Sequence, residues 1–226
     1  MTIPKEVVLE ALRCCRDVYP NEKDYLVSRK IDGYTILAVE GTNETTDWVT
    51  NLKFLIKRDD CHRGFKNNAN RTLAELVVAY EGLDPKRKLI LAGHSLGGAT
   101  ATLIADLLWE SGNVNIGLVT AGSPRPGGRR LKRRIKDLEH YRFVHGNDIV
   151  PTTPPWLAGY VHTHPVTKLE DANDTRFDGV ADHNMGDYYD EAVKYYESKK
   201  VTLSLKKLQS MPLKVLRLKS SKLSKL

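Results

Sequence analysis

The sequence predicts an α/β domain built on a largely parallel sheet. Strand-like apolar runs alternate with helix-period segments through the middle of the chain. The run Leu89, Ile90, Leu91, Ala92 is continuously apolar, as a strand buried on both faces would be. A tight Gly-rich turn then opens directly into a helical pattern, in "KLILAGHSLGGATATLIADLL" from Lys88 to Leu108. The chain of 226 residues is long enough for one good core rather than two.

The elements follow in order. "MTIPKEVVLEALRCCRDVY" is an amphipathic helix with Val7, Val8, Leu12 and Cys15 on one face. "KDYLVSRKIDGYTILAVEG" is two strands joined at Asp32-Gly33, the second covering Tyr34–Glu40. "NETTDWVTNLKFLIKRD" is polar with scattered apolar residues and suits a short helix or lid. A helix from about Gly64 carries Leu73, Leu76, Val77 and Tyr80 at core spacing and ends at Gly82 and Pro85. Lys88–Ala92 is a strand, Ser95–Trp109 a helix, and "NVNIGLVTAG" another strand before the turn "SPRPGG". "RRLKRRIKDLEH" reads as a basic amphipathic helix, "YRFVHGND" as a strand running into a loop, and "YVHTHPVTKL" as a strand. "DHNMGDYYDEAVKYYES" closes the series as a helix, and no internal repeat is seen.

Charge is unevenly placed. The net charge is +7, but no acid follows Glu197 while nine Lys or Arg residues do. The rest holds 26 basic against 28 acidic residues, a balance of −2. The expected organisation is therefore a near-neutral domain over residues 1–198 and a basic C-terminal tail over 199–226. The tail interleaves Leu and Val with Lys and Arg, a composition that suits an anionic membrane as well as a solvated tail. The basic run at Arg129–Lys136 reads as a solvated charged face. No specific nucleic-acid partner is expected, because the domain itself is not basic. Lys5, Glu6, Glu10 and Arg13 interrupt the N-terminal apolar stretch, so no secretion signal is read there. No apolar run approaches bilayer length. Three cysteines, two of them adjacent (Cys14, Cys15, Cys61), suit a reducing compartment. A cytoplasmic protein, resting on a membrane surface if the tail does so, is the expectation.

Ser95 is the candidate nucleophile, in the G-x-S-x-G turn of Gly93, His94, Ser95, Leu96 and Gly97. Such a turn exposes a serine hydroxyl where a strand ends and a helix begins, and glycines leave room for it. The plainer alternative is a serine capping the helix. A serine hydroxyl needs a base, and the base an acid, in the chain order Ser, acid, His. Asp148 lies in a loop just past a strand, whereas Asp106 is within the serine's own helix and Asp137 on the basic run. The base is His162, His164 or His183; spacing favours His183 without excluding the other two. His162 and His164 can also share a strand face as metal ligands, although edge histidines are more often structural.

These segments resemble the class 3 lipases, the α/β-hydrolases that include fungal triacylglycerol lipases. The likeness runs from about Leu37 to Tyr189, through "AVEGTNETTDWVTNL", "CHRGF", "GHSLGGATATL", "TAGSPRPGGRR", "FVHGNDIVPTTPP" and "DHNMGDYY" in that order. It implies an α/β-hydrolase fold with a mostly parallel sheet flanked by helices. It implies Ser95 as nucleophile, Asp148 as acid and His183 as base, and it matches His162 to a non-triad histidine. Thr42 and Leu96 fall at the positions that form the oxyanion hole. Trp48 and Val49 fall in the lid equivalent, about residues 43–50, which is otherwise polar. The chain is short beside secreted members and has no obvious disulfides. The implied activity is hydrolysis of carboxylic esters of acylglycerols or phospholipids, with no cofactor and no metal. Two alternatives stand beside it: an esterase for soluble or aromatic esters, and a non-catalytic binding protein that uses the basic tail.

Overall fold

The computed structural model describes residues 2–18, 26–41, 57–58, 60–79, 88–112, 115–170, 179 and 181–209, and every structural statement below concerns these. They fall into two compact units, Met1–Glu191 and Ala192–Leu226.

In the first unit, α1 (Lys5–Asp17) buries Val7, Val8, Ala11, Leu12, Cys14 and Cys15 along one stripe. Strands β1 (Leu26–Ile31) and β2 (Tyr34–Val39) form an antiparallel pair. Their turn has positive φ at both Asp32 (46°) and Gly33 (79°), the backbone of a tight hairpin whose twist matches the strands. Arg29 of β1 reaches back to α1, to Glu10 at 3.1 Å and Asp17 at 2.8 Å. A two-residue hairpin, β3 (Lys57–Arg58) with β4 (Cys61–His62), leads into α2 (Arg63–Ala79). Then come β5 (Lys88–His94), α3 (Leu96–Glu110), β6 (Ile116–Ala121), α4 (Arg129–Arg134), β7 (Glu139–His145), β8 (Thr167–Leu169) and α5 (Met185–Gln209). The main sheet runs β1-β2-β5-β6-β7-β8, and only the β1–β2 pair is antiparallel. This is the α/β architecture the alternation predicts.

Period-two alternation sends the strand side chains to two covered faces. Leu37, Val39, Leu89, Leu91, Ile116 and Leu118 join Phe65 and Ala69 of α2, Leu103 and Ile104 of α3, and Leu131 of α4 in one core. The opposite face carries Ile36, Ile90 and Gly117. A Cβ on Gly117 would lie 2.6 Å from Ile3 Cδ1 and 2.8 Å from Ile90 Cδ1, so the N-terminal segment is seated against the sheet centre. Arg134 of α4 grips Asp106 of α3 with two hydrogen bonds, 2.8 and 2.6 Å, so Asp106 is engaged far from any loop.

Three elements differ from expectation. The basic helix stops at Arg134, because Glu139 and His140 pair with Gly117 and Leu118 and belong to β7. Of the segment 160–169 only Thr167–Leu169 is strand; Pro165 has no N–H to give a ladder. Helix α5 continues past Ser198 to Gln209, and residues 210–226 lie outside the described residues. Within the second unit Lys199 hydrogen-bonds the Tyr195 hydroxyl and sits 4.3 Å from the centre of its ring. Among the described residues no helix is long and apolar enough to cross a membrane.

Ile90, fully buried on central β5, tests the packing. Ile90→Ala is expected to lower unfolding free energy by about 2–5 kcal/mol in denaturant titrations. A loss below about 1 kcal/mol would mean the strand is not central to the core.

Candidate active site

The carboxyl ends of β5, β6 and β7 converge on one small volume. At the end of β5 the chain turns at Ser95 with φ 57° and ψ −131°, outside any conformation a serine prefers. The Ser95 N–H still donates to Ala121 O of β6 at 3.0 Å, so the strand ladder continues up to the turn itself. Helix α3 starts at the next residue. The glycines are a steric requirement: a Cβ on Gly93 would fall 2.3 Å from the Gly97 carbonyl, and one on Gly97 2.2 Å from Val39 O. The serine makes no side-chain cap to α3, and its buried Oγ has no hydrogen-bond partner. Helix capping therefore does not explain it.

Asp148 lies three residues beyond the end of β7 and is 3% exposed. Three donors converge on its carboxylate: the Val150 N–H to Oδ1 at 2.8 Å, His183 Nδ1 to Oδ2 at 2.7 Å, and the Tyr188 hydroxyl to Oδ2 at 2.6 Å. Since the partner of His183 Nδ1 is a carboxylate, Nδ1 carries the proton and Nε2 the lone pair. That Nε2 is buried and has no partner. Burial and the adjacent carboxylate push the Tyr188 hydroxyl well above the usual tyrosine range, so it stays a donor. His183 lies against His94, the residue before Ser95, with ring centroids 4.5 Å apart. Burial, and secondarily His183, hold His94 well below the usual histidine range and therefore neutral.

Ser95 Oγ and His183 Nε2 are not hydrogen-bonded to one another here. Catalytic hydrogen bonds are often long without substrate and tighten in the Michaelis complex. Leu96 opens α3, and its N–H belongs to the first helical turn, whose amides have no intrahelical acceptor. Thr42, Trp48 and Val49 lie outside the described residues.

The loops that carry Asp148 and His183 are fastened to each other. Asn147 N–H donates to Asp182 Oδ2 at 2.6 Å, His145 Nδ1 meets Asp182 O at 3.2 Å, and Ile149 N–H donates to Gly179 O at 3.0 Å. The Arg125 guanidinium binds the carbonyls of Thr152 and, at 2.7 Å, Pro154, clamping the loop that follows Asp148. The competing histidines are placed otherwise. His162 Nε2 donates to Pro151 O at 2.7 Å and props the acid loop. His164 meets His140 at 3.3 Å, and His140 meets Thr120 at 2.8 Å. Sequence reasoning missed Gly122 and Tyr188. Gly122 has φ +58°, and a Cβ there would lie 2.8 Å from His183 Cε1 and 2.9 Å from Asp148 Oδ2. Its glycine directly after β6 is a local signal; Tyr188, five residues beyond His183, has none.

Residues 36–158, more than half of the chain, match the family model described as "Lipase (class 3)". The chain belongs to the class 3 lipase family. It is 35% identical over 141 residues to secreted mono- and diacylglycerol lipase 1 of Fusarium solani, covering 58% of this chain and 42% of that one. Over 155 residues it is 31% identical to secreted mono- and diacylglycerol lipase A of Penicillium cyclopium, covering 62% and 50%. The matched region thus spans half or less of these relatives' lengths. The crystal structure of the Aspergillus oryzae mono- and diacylglycerol lipase superposes with a TM-score of 0.60 at 22% identity, covering 77% of this chain and 83% of that one. The fold is that of the α/β-hydrolases.

The secreted relatives overturn the cytoplasmic expectation. The cysteines misled for a physical reason. All three are buried free thiols, and burial with nearby Glu10 pushes Cys14 up to about 12. Buried, protonated thiols are inert, so their number does not report the redox compartment.

Burial also pushes His62 down to about 4 and His162 to about 3. Below about pH 6.5 the unfolded chain gains protons at these sites that the folded chain refuses. Stability is therefore expected to be steady above pH 7 and to fall as pH drops from about 6.5 toward 4. Melting temperatures recorded across that range check this; a flat profile would mean that these rings are not held neutral.

Proposed function

We propose that this protein is a serine ester hydrolase that cleaves acylglycerol esters through an acyl-enzyme on Ser95. The observation that carries the proposal is the Ser95 turn: a positive-φ serine whose buried hydroxyl has no hydrogen-bond partner among the described residues, next to His94, whose ring lies tilted against that of His183. Acylglycerols are the substrates named for the Fusarium and Penicillium relatives.

In this scheme His183 Nε2 takes the proton from Ser95 Oγ as the oxygen attacks the ester carbonyl. Asp148 holds the Nδ1–H and balances the imidazolium charge. The Leu96 N–H, and by family resemblance the N–H and hydroxyl of Thr42, receive the oxyanion. Each such donor is worth about 2.7–4 kcal/mol of transition-state stabilisation. His183 then gives its proton to the leaving alcohol. Water attacks the acyl-enzyme with His183 again as base, and the fatty acid leaves. Trp48 and Val49 are proposed to meet the acyl chain. Residues 199–226, with their interleaved leucines and lysines, are proposed as a further point of contact with anionic lipid.

A fluorophosphonate probe is expected to label the native protein and not Ser95→Ala. The same substitution is expected to lower diacylglycerol turnover by about 10⁴-fold or more while the melting curve is kept. Turnover unchanged per folded molecule would sink the assignment.

Tyr188→Phe removes one charge-assisted hydrogen bond from Asp148, of about 1.5–3 kcal/mol. The expected result is a kcat about tenfold lower with KM within about twofold. An unchanged kcat would reduce Tyr188 to packing.

A further inference from the structure

Four large apolar side chains are exposed among the described residues: Ile149, Trp156, Leu157 and Val166. Three of them, Ile149, Trp156 and Leu157, follow Asp148 on the loop that leaves the carboxyl end of β7. Trp156 is 67% exposed and Leu157 80%, side by side on the single 3-10 turn Trp156–Ala158. Nothing in the core requires either residue there.

Beside that turn lies α4. Its Arg129, Arg130 and Arg133 are exposed and share with Trp156 and Leu157 the walls of a recess of about 420 Å³, completed by Asp60, Gly159 and Val161. Among the described residues none of the three arginines pairs with a carboxylate. Their neighbour Arg134 shows the contrast, since it turns inward and is held by Asp106 and Glu110. The Asp60 carboxylate in the recess is already engaged by the Leu131 N–H at 2.8 Å.

The frame beneath is stiff. Gly127 bridges Cys61 on one side and Val161 on the other. Val161 N–H donates to Gly127 O at 2.8 Å, and Gly128 N–H to Asp60 O at 2.7 Å. A Cβ on Gly127 would fall 2.5 Å from Asp60 O, so the three segments cross as closely as backbones can. Arg125 fastens the same turn to the loop that carries Trp156. The arginines and the apolar pair therefore present as one surface.

We infer that this face docks the protein on an anionic phospholipid bilayer. Trp156 and Leu157 enter the boundary between headgroups and acyl chains, where indole is favoured. Arg129, Arg130 and Arg133 take lipid phosphates, for which the guanidinium fork is suited. Charge complementarity selects the occupant. A nucleic acid would use the same arginines and the Trp156 ring, but it would leave Leu157, the most exposed apolar residue here, without an apolar partner, whereas acyl chains cover both. The inference rests on the proposed lipid-ester hydrolysis, since one loop carries both Asp148 and the docking turn.

The test is sedimentation of the full chain carrying Ser95→Ala with vesicles of phosphatidylcholine, alone or with a third part phosphatidylglycerol. Onto that chain go Trp156→Ser with Leu157→Ser, or Arg129→Ser with Arg130→Ser and Arg133→Ser. A third version replaces Lys219, Lys222 and Lys225 by Ser, removing the same charge from residues 199–226. Binding to the anionic vesicles is expected to fall about tenfold in the apolar variant and about a hundredfold in the arginine variant. The lysine variant should lose less than either. With Ser95 restored, hydrolysis of a soluble short-chain ester should be unchanged by both surface sets, and melting curves confirm folding. Undiminished vesicle binding by both surface variants would overturn the inference, as would a loss confined to the lysine variant. So would salt-sensitive binding to an oligonucleotide with none to vesicles. Patch-dependent vesicle binding, with no fluorophosphonate labelling of the folded chain that retains Ser95, would instead sink the hydrolase proposal and leave the docking surface standing.

Discussion

The first turn of α3 is pressed so hard against the end of β2 that no side chain fits between them. A methyl on Gly97 would meet the Val39 carbonyl oxygen at 2.2 Å, and one on Gly93 the Gly97 carbonyl at 2.3 Å. With the helix this close, β5 can reach it only through a reversal in one residue, and that residue is forced to φ 57°. A non-glycine residue held there costs about 1–3 kcal/mol. The helix offsets this by burying every residue from Gly97 to Asp106, five of them Gly or Ala. Loosen that contact and the serine relaxes, the helix N-terminus leaves the sheet edge, and the amides offered to an oxyanion go with it.

The acid and base depend on a second set of contacts, made between loops. Asp148 is nearly sealed from water, which penalises its charge. Three donors in hydrogen-bond range compensate, and charge-assisted bonds of this kind are the strong ones. Only one of the three is His183, the base in the proposed scheme. The Val150 amide and the Tyr188 hydroxyl hold the carboxylate independently of His183. Gly122 forms the floor beneath the pair, and its missing side chain is what lets Asp148 and His183 meet there. Asp182, one residue before the base, holds the backbone of the acid loop at Asn147.

What could be read from the sequence was local. Continuous apolar runs mark β5 and β6 because both faces of a central parallel strand are covered. The Asp32-Gly33 hairpin and the Ser95 turn are legible because positive φ leaves a glycine beside it. The loop position of Asp148 just past a strand was legible. His183 was not separable from His162 and His164 by spacing; family resemblance pointed to it. In three dimensions the three rings have different partners, Asp148 for His183, Pro151 for His162 and His140 for His164. The end of α4 failed for the same reason: helix propensity favours continuing through Leu138, but pairing with β6 claims Glu139 onward. Tyr188 was hidden because nothing in "DHNMGDYY" says which tyrosine turns inward. The cysteines pointed to the wrong compartment because burial, not number, governs a thiol.

Histidine chemistry shows how the rest of the core serves the site. Burial lowers the affinity of His62, His94, His140, His162 and His164 for a proton, so these rings are neutral where the chain works near neutral pH. His94 matters most, since its ring centre is 4.5 Å from that of His183. Two positive rings at that distance would repel by about 4 kcal/mol at an effective dielectric near 20. That is as much as a whole oxyanion donor contributes. A charged His94 would therefore cancel one such donor at the moment His183 becomes imidazolium. Because burial keeps His94 neutral, a charge formed on His183 in the proposed scheme would be answered by Asp148 and opposed by no charge on the His94 ring. In the proposed scheme, desolvation of a bystander thus serves the chemistry by keeping a competing charge from forming.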